Sequence, residues 1–177
     1  MTILASALGR WRKWQPSLRL ETLALIVSLY FSLACNALFW KSSLAGRSFA
    51  QADTWLFAVC LFVALTALHF ILLCLVLNRW TAKPLLGLLI VVTAFAAYYM
   101  STFTVFLDPG MLRNVLRTDV KEAGELFSVG MLPHLFFYAL LPLLLLFRIR
   151  LRLDSLRRAV LVRLLSIFLA LLVGAGS

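Results

Sequence analysis

Asn114, Thr118 and Glu122 set an amide, a hydroxyl and a carboxylate at four-residue intervals in a polar stretch, residues 108–126, flanked by long apolar runs. At this spacing each step turns roughly 40° around an α-helix, so the three side chains line one face. A carboxylate on that face can pair with an ammonium. The amide and hydroxyl, with Arg113, Arg117 or Lys121 beside them, can donate to phosphate oxygens. Together these groups suit a zwitterionic phospholipid headgroup. Spacing alone equally fits the solvated face of a surface helix. The position between membrane-length runs is what favours the lipid.

Those runs must position the polar segment. The chain has 177 residues, 63% of them hydrophobic and 14% charged, a composition that excludes an ordinary soluble domain and reads as an integral membrane protein. Residues 22–40, 54–77, 85–105 and 129–147 approach or exceed the roughly 20 apolar residues a bilayer crossing needs. A fifth run, 160–173, is shorter, and the chain then stops at Gly174, Ala175, Gly176 and Ser177, so a truncated fifth helix with a domain beyond it is expected. Apolar and polar positions do not alternate, which argues against a β-barrel and leaves helices to satisfy the backbone. The expected fold class is all-α: one domain, an integral membrane bundle of five transmembrane helices.

The net charge of +10 could suggest nucleic acid, but the placement of the basic residues gives a membrane orientation instead. Arg10, Arg12, Lys13, Arg19, Arg79, Lys83, Arg148, Arg150, Arg152, Arg157, Arg158 and Arg163 all fall on one side of the predicted spans. The opposite loops hold Lys41, Arg47, Arg113, Arg117 and Lys121, offset by Asp53, Asp108, Asp119, Glu122 and Glu125. The positive-inside rule puts the N-terminus in the cytoplasm and residues 106–128 outside. Within that outer segment Asp108 and Pro109 supply a helix cap and first residue, and Met111, Leu112, Val115, Leu116, Ala123, Leu126 and Phe127 an apolar stripe. An amphipathic helix over 109–127, lying between helices 3 and 4, is expected. Pro142 should bend the fourth span, and Trp40, Trp55 and Trp80 should anchor span ends.

Other candidates carry less chemistry. His69 lies deep in the second span and reads as a neutral, hydrogen-bonded packing residue. His134 borders the outer surface, where a ligand or base role is conceivable, but the two histidines differ too much in depth to share a metal. Cys35, Cys60 and Cys74 fall inside spans as small packing residues. The arginines from Arg148 to Arg158 serve orientation and contact with anionic lipid. There is no metal-ligand cluster, Gly-rich phosphate loop or paired nucleophile and base, so neither a catalytic residue nor a metal ligand is assigned to this segment.

The run Val105-Phe106-Leu107-Asp108, followed by Met111-Leu112, Asn114-Val115, Thr118-Asp119, Glu122-Ala123 and Leu126, resembles the N-terminal membrane domain of the lipid A phosphoethanolamine transferases. The mobile colistin-resistance enzymes belong to this family. The resemblance implies a bacterial inner-membrane protein with residues 106–128 in the periplasm and a zinc-bearing, alkaline-phosphatase-like catalytic domain after the fifth helix. It also implies a double displacement: phosphatidylethanolamine gives phosphoethanolamine to a threonine of that domain, diacylglycerol leaves, and a phosphate of lipid A or lipopolysaccharide accepts the group, conferring polymyxin resistance. Asn114, Thr118 and Glu122 fall on the family positions for the donor headgroup. Where the family often has Asp-Thr-Tyr-Gly, this chain has Ser101-Thr102-Phe103-Thr104, so the acceptor is less defined than the donor. The implied partners are phosphatidylethanolamine, lipid A, membrane lipids and the chain's own C-terminal catalytic domain, with no nucleic acid. The competing expectation is a stand-alone membrane sensor or anchor that binds lipid or protein without catalysis.

Overall fold

The computed structural model describes residues 15–104, 110, 113 and 128–152. The fifth run, 160–173, and nearly all of the expected outer helix, 109–127, lie outside these residues. Helix α1 (Leu20–Ala34) leads into a short α2 (Ala37–Ser43), followed by α3 (Ala52–Val76) and α4 (Ala82–Phe103). The next span, Met131–Arg148, comprises α5 (Met131–Leu135), a π-helical turn (Phe136–Leu140) and α6 (Leu141–Arg148).

Among the described residues, three helical segments, α3, α4 and Met131–Arg148, are long and apolar enough to cross a membrane, and the bent α1–α2 pair makes a fourth if it counts as one span. α3 is apolar all round, and side chains such as Leu56 and Leu75 remain about two-thirds exposed. Such a helix needs lipid for its outer face. Its inner face, with Phe70, Leu73, Cys74 and Leu77, closes on Leu23, Ala24, Val27, Phe31 and Cys35 of α1. The ring pairs Phe31–His69 at 6.0 Å, between α1 and α3, and Trp40–Phe62 at 6.4 Å, between α2 and α3, show the α1–α2 stretch running antiparallel to α3. Ala82, Leu86 and Ile90 of α4 and Leu146 of α6 complete this core. Cys35, Cys60 and Cys74 are not in disulfides, and Cys35 and Cys74 are buried.

The first span departs from expectation. It is not one helix over 22–40: the chain breaks at Cys35 and Asn36, and α1 and α2 meet at 59°. Asparagine is a poor residue for a helix interior because its amide competes for backbone partners. Here the Asn36 amide donates to the Phe31 carbonyl at 2.8 Å and the Trp40 indole N–H to the Ser32 carbonyl at 2.7 Å. Two carbonyls released at the end of α1 are thereby satisfied. Trp40, expected as an interfacial anchor, is tied into this cap.

Pro142 acts through a missing donor. In an α-helical ladder it would serve the Tyr138 carbonyl, and it has no N–H. Just upstream the ladder shifts to i→i+5 bonding, with Leu141 N–H on the Phe136 carbonyl, so the expected disturbance takes the form of a π-turn. The Tyr138 carbonyl accepts the Tyr30 hydroxyl of α1 at 2.5 Å. Tyr30→Phe should therefore lower stability by about 1 kcal/mol, midway between the net worth of interhelical bonds in membranes and the cost of a stranded carbonyl. Denaturant titration in detergent, with Tyr30→Phe beside wild type, measures it.

The basic end is stitched by backbone. Ser17–Leu18 (β1) pairs in parallel with Arg150–Leu151 (β2), Ser17 facing Arg150. The Arg152 guanidinium donates to the Ser17 hydroxyl at 2.9 Å, and the Lys83 ammonium reaches the Phe147 carbonyl at the end of α6 at 3.2 Å. Arg150, Arg152 and Lys83, assigned to one side by sequence, do share one end of the bundle.

Candidate functional site

The described residues nearest to the polar segment are the two stems it joins: the last turns of α4 and the start of the Met131–Arg148 span. α4 ends at Thr104, whose φ of 53° places a β-branched residue in the left-handed region, its backbone N–H capped on the Met100 carbonyl. Side chains other than glycine rarely adopt this conformation, so the helix stops abruptly at a defined point. On the return, the Met131 N–H meets the Ser128 carbonyl at 3.0 Å, and the Met131 side chain is buried.

Side chains join these stems. The Tyr98 and Ser128 hydroxyls are 2.8 Å apart. One turn further in, His134 Nε2 lies 3.0 Å from the Ala94 carbonyl; because a carbonyl only accepts, Nε2 carries the proton of this bond. Ala94 is fully buried, and its small side chain lets the imidazole approach the helix backbone. The imidazole stacks on Tyr138 at 4.3 Å with the planes 12° apart and meets Tyr98 at a tilt, 5.4 Å away. Through the Tyr138 carbonyl the ladder continues to Tyr30 on α1.

This arrangement ties the two stems to each other and to α1. Among the described residues no three His, Cys, Asp or Glu side chains gather to hold a metal. Ser101 turns its hydroxyl onto the Ala97 and Tyr98 carbonyls of its own helix. His69, as expected of a packing residue, bonds through Nδ1 to the Leu65 carbonyl at 2.8 Å. Below the stems a groove of about 480 Å³ runs between Phe95 of α4 and Leu132, Phe136, Ala139 and Leu143. Its lining is almost wholly apolar.

Asn114, Thr118 and Glu122 lie outside the described residues; the structure brings together the stems on either side of them. The cluster of Tyr98, Ser128, His134, Tyr138 and Tyr30 was not foreseen, apart from His134. For the Tyr30–Tyr138 contact alone Pro142 was the available signal, since its missing N–H marks Tyr138 as a carbonyl in need of a donor.

The fold itself has a solved counterpart. The integral membrane lipooligosaccharide phosphoethanolamine transferase A (EptA) from Neisseria meningitidis superposes with a TM-score of 0.83 over 91% of this chain and 30% of that one, at 24% identity. At the sequence level, the family model for phosphoethanolamine transferase EptA/EptB matches residues 65–177. The chain belongs to the EptA/EptB family. Phosphoethanolamine transferase EptA of Escherichia coli strain K12 is 31% identical over 170 residues, covering 91% of this chain and 30% of the relative. Phosphatidylethanolamine transferase Mcr-2 of Escherichia coli is 25% identical over 117 residues, 66% of this chain and 21% of that protein. The chain thus spans less than a third of the length of these EptA and Mcr relatives. The family match takes in α4, both stems and the polar segment.

Proposed function

We propose that this chain is the membrane domain of a transferase that moves phosphoethanolamine from phosphatidylethanolamine to lipid A, and that its polar segment binds the donor headgroup. Family membership over residues 65–177 carries the reading. In it, Glu122 pairs with the ammonium of the donor, while Asn114 and Thr118 donate to its phosphate. A charge pair and two donors on one helical face would hold both ends of the headgroup and fix the direction of the phosphorus. The apolar groove beside Phe95 is supporting geometry, because donor and acceptor both carry hydrocarbon chains.

Displacement at phosphorus is assigned to a zinc-bearing domain outside these residues. In this reading the bundle contributes binding and orientation. Restricting two lipids in one leaflet is a substantial contribution, because positioning alone removes much of the entropic part of a bimolecular barrier. The basic end formed by Arg150, Arg152 and Lys83 would face the cytoplasm and the stems the periplasm. Transfer to lipid A in the inner membrane confers polymyxin resistance in this reading.

The test is made on the native gene product purified in detergent. It is incubated with headgroup-labelled phosphatidylethanolamine and lipid A, and both lipids are followed by mass spectrometry. Release of diacylglycerol with gain of a phosphoethanolamine on lipid A is the expected result. Neither product at any enzyme concentration would leave a lipid-binding anchor as the better description.

A further inference from the structure

We propose that Tyr98 and Ser128 are positioning residues for donor binding: their hydroxyl–hydroxyl bond pins together the two stems from which the headgroup-binding segment departs and returns. The inference rests on the proposed function and adds residues to it that touch no substrate.

Residues 104 and 128 bound the segment on its two sides, so the separation of the stems constrains how the intervening residues can be placed. Three observations fix it. The Tyr98–Ser128 bond of 2.8 Å crosses directly between the stems. The Tyr98 ring is itself held by the His134 imidazole, which is locked on the Ala94 carbonyl and stacked on Tyr138. The chain around Gly130 packs closely on the pair, since a Cβ built there would lie 3.8 Å from both the Ser128 and Tyr98 hydroxyl oxygens. A tyrosine so buttressed has few alternative rotamers, so the bond costs little further ordering. The left-handed Thr104 adds a hard stop to α4 on the same side. Headgroup recognition needs its charges and donors within tenths of an ångström of their partners. A stem free to shift would disperse them.

Two isosteric changes separate positioning from folding. Tyr98→Phe keeps the ring against His134 and removes only the hydroxyl; Ser128→Ala removes the other half. In the full-length protein, with phosphatidylethanolamine in mixed micelles and lipid A as acceptor, each is expected to raise the KM for the donor about fivefold, the worth of one ordinary hydrogen bond, with kcat unchanged. The double variant should be no worse than either single one, because both remove the same bond. Ser128→Thr should restore the wild-type KM. Gly130→Ala, whose methyl would meet only ordinary contacts, should leave it untouched. Unchanged donor KM in both single variants, or effects that add in the double variant, would overturn the pin while leaving an active transferase in place. A wild-type protein that transfers nothing would instead overturn the transferase reading and the role of the pin with it.

Discussion

Replacing Glu122 by glutamine in the full-length protein is expected to cut phosphoethanolamine transfer roughly ten- to a hundredfold. The substitution preserves shape and hydrogen-bonding reach but removes the charge proposed to pair with the ammonium of the donor. Hydrogen bonds to charged groups contribute about 1.5–3 kcal/mol, and each 1.4 kcal/mol is tenfold. Because the headgroup is bound before any bond is broken, most of the loss should appear as a higher donor KM. Thr118→Ala removes one neutral donor to phosphate and should cost less. Modified lipid A measured by mass spectrometry in living cells, with polymyxin survival beside it, gives the readout. Wild-type levels of both in Glu122→Gln would remove this residue from the site. The comparison with asparagine at the same position is informative too: a shorter, uncharged side chain should be at least as damaging as glutamine if the ammonium is the partner.

The parts of this architecture that were legible in the sequence are those set by local composition. A run of apolar residues without charge has little choice in a bilayer, so the expected spans 54–77, 85–105 and 129–147 correspond to Ala52–Val76, Ala82–Phe103 and Met131–Arg148. The alternation of basic and mixed loops carries topology for the same reason, and Arg150, Arg152 and Lys83 lie together at one end. The break at Asn36 was hidden, because a single polar residue inside a long apolar run barely changes its hydropathy. Its effect depends on the amide finding the Phe31 carbonyl and on Trp40 folding back to Ser32. In the same way Pro142 announced a disturbance but not its form. Whether the stranded Tyr138 carbonyl would meet water, lipid or Tyr30 is decided by packing between helices that are far apart in sequence.

The candidate site divides along the same line. Asn114, Thr118 and Glu122 could be picked out because a helical repeat of four is visible in one dimension. Tyr98 and Ser128 could not, since their bond closes over the whole intervening segment. Neither residue has a local pattern that distinguishes it from other interfacial hydroxyls. The groups proposed to touch the donor were thus candidates from spacing alone, whereas the groups that hold the stems required the return of the chain in three dimensions.

That return depends on how closely α4 can approach the Met131–Arg148 span, and Gly87 is where the approach is tested. A Cβ built at Gly87 lies 3.5 Å from Leu143 Cδ2 and 3.8 Å from Phe147 Cζ, which leaves room for a methyl and nothing beyond it. Gly87→Ala should therefore be neutral or slightly stabilising, since it replaces a flexible helix residue by the best helix former. Gly87→Leu would drive three further carbons into Leu143 and Phe147. Overpacking of this kind costs about 1–3 kcal/mol, and in lipid the loss is not cushioned, because close packing is the main force holding helices together. The helices must part or rotate, and either movement also strains the Lys83 contact to the Phe147 carbonyl below and the Tyr98–Ser128 bond above. Gly87→Leu is expected to lower the detergent unfolding midpoint sharply, while Gly87→Ala retains it. Equal stability of the leucine and alanine variants would mean that α4 and α6 do not pack as tightly as these distances require.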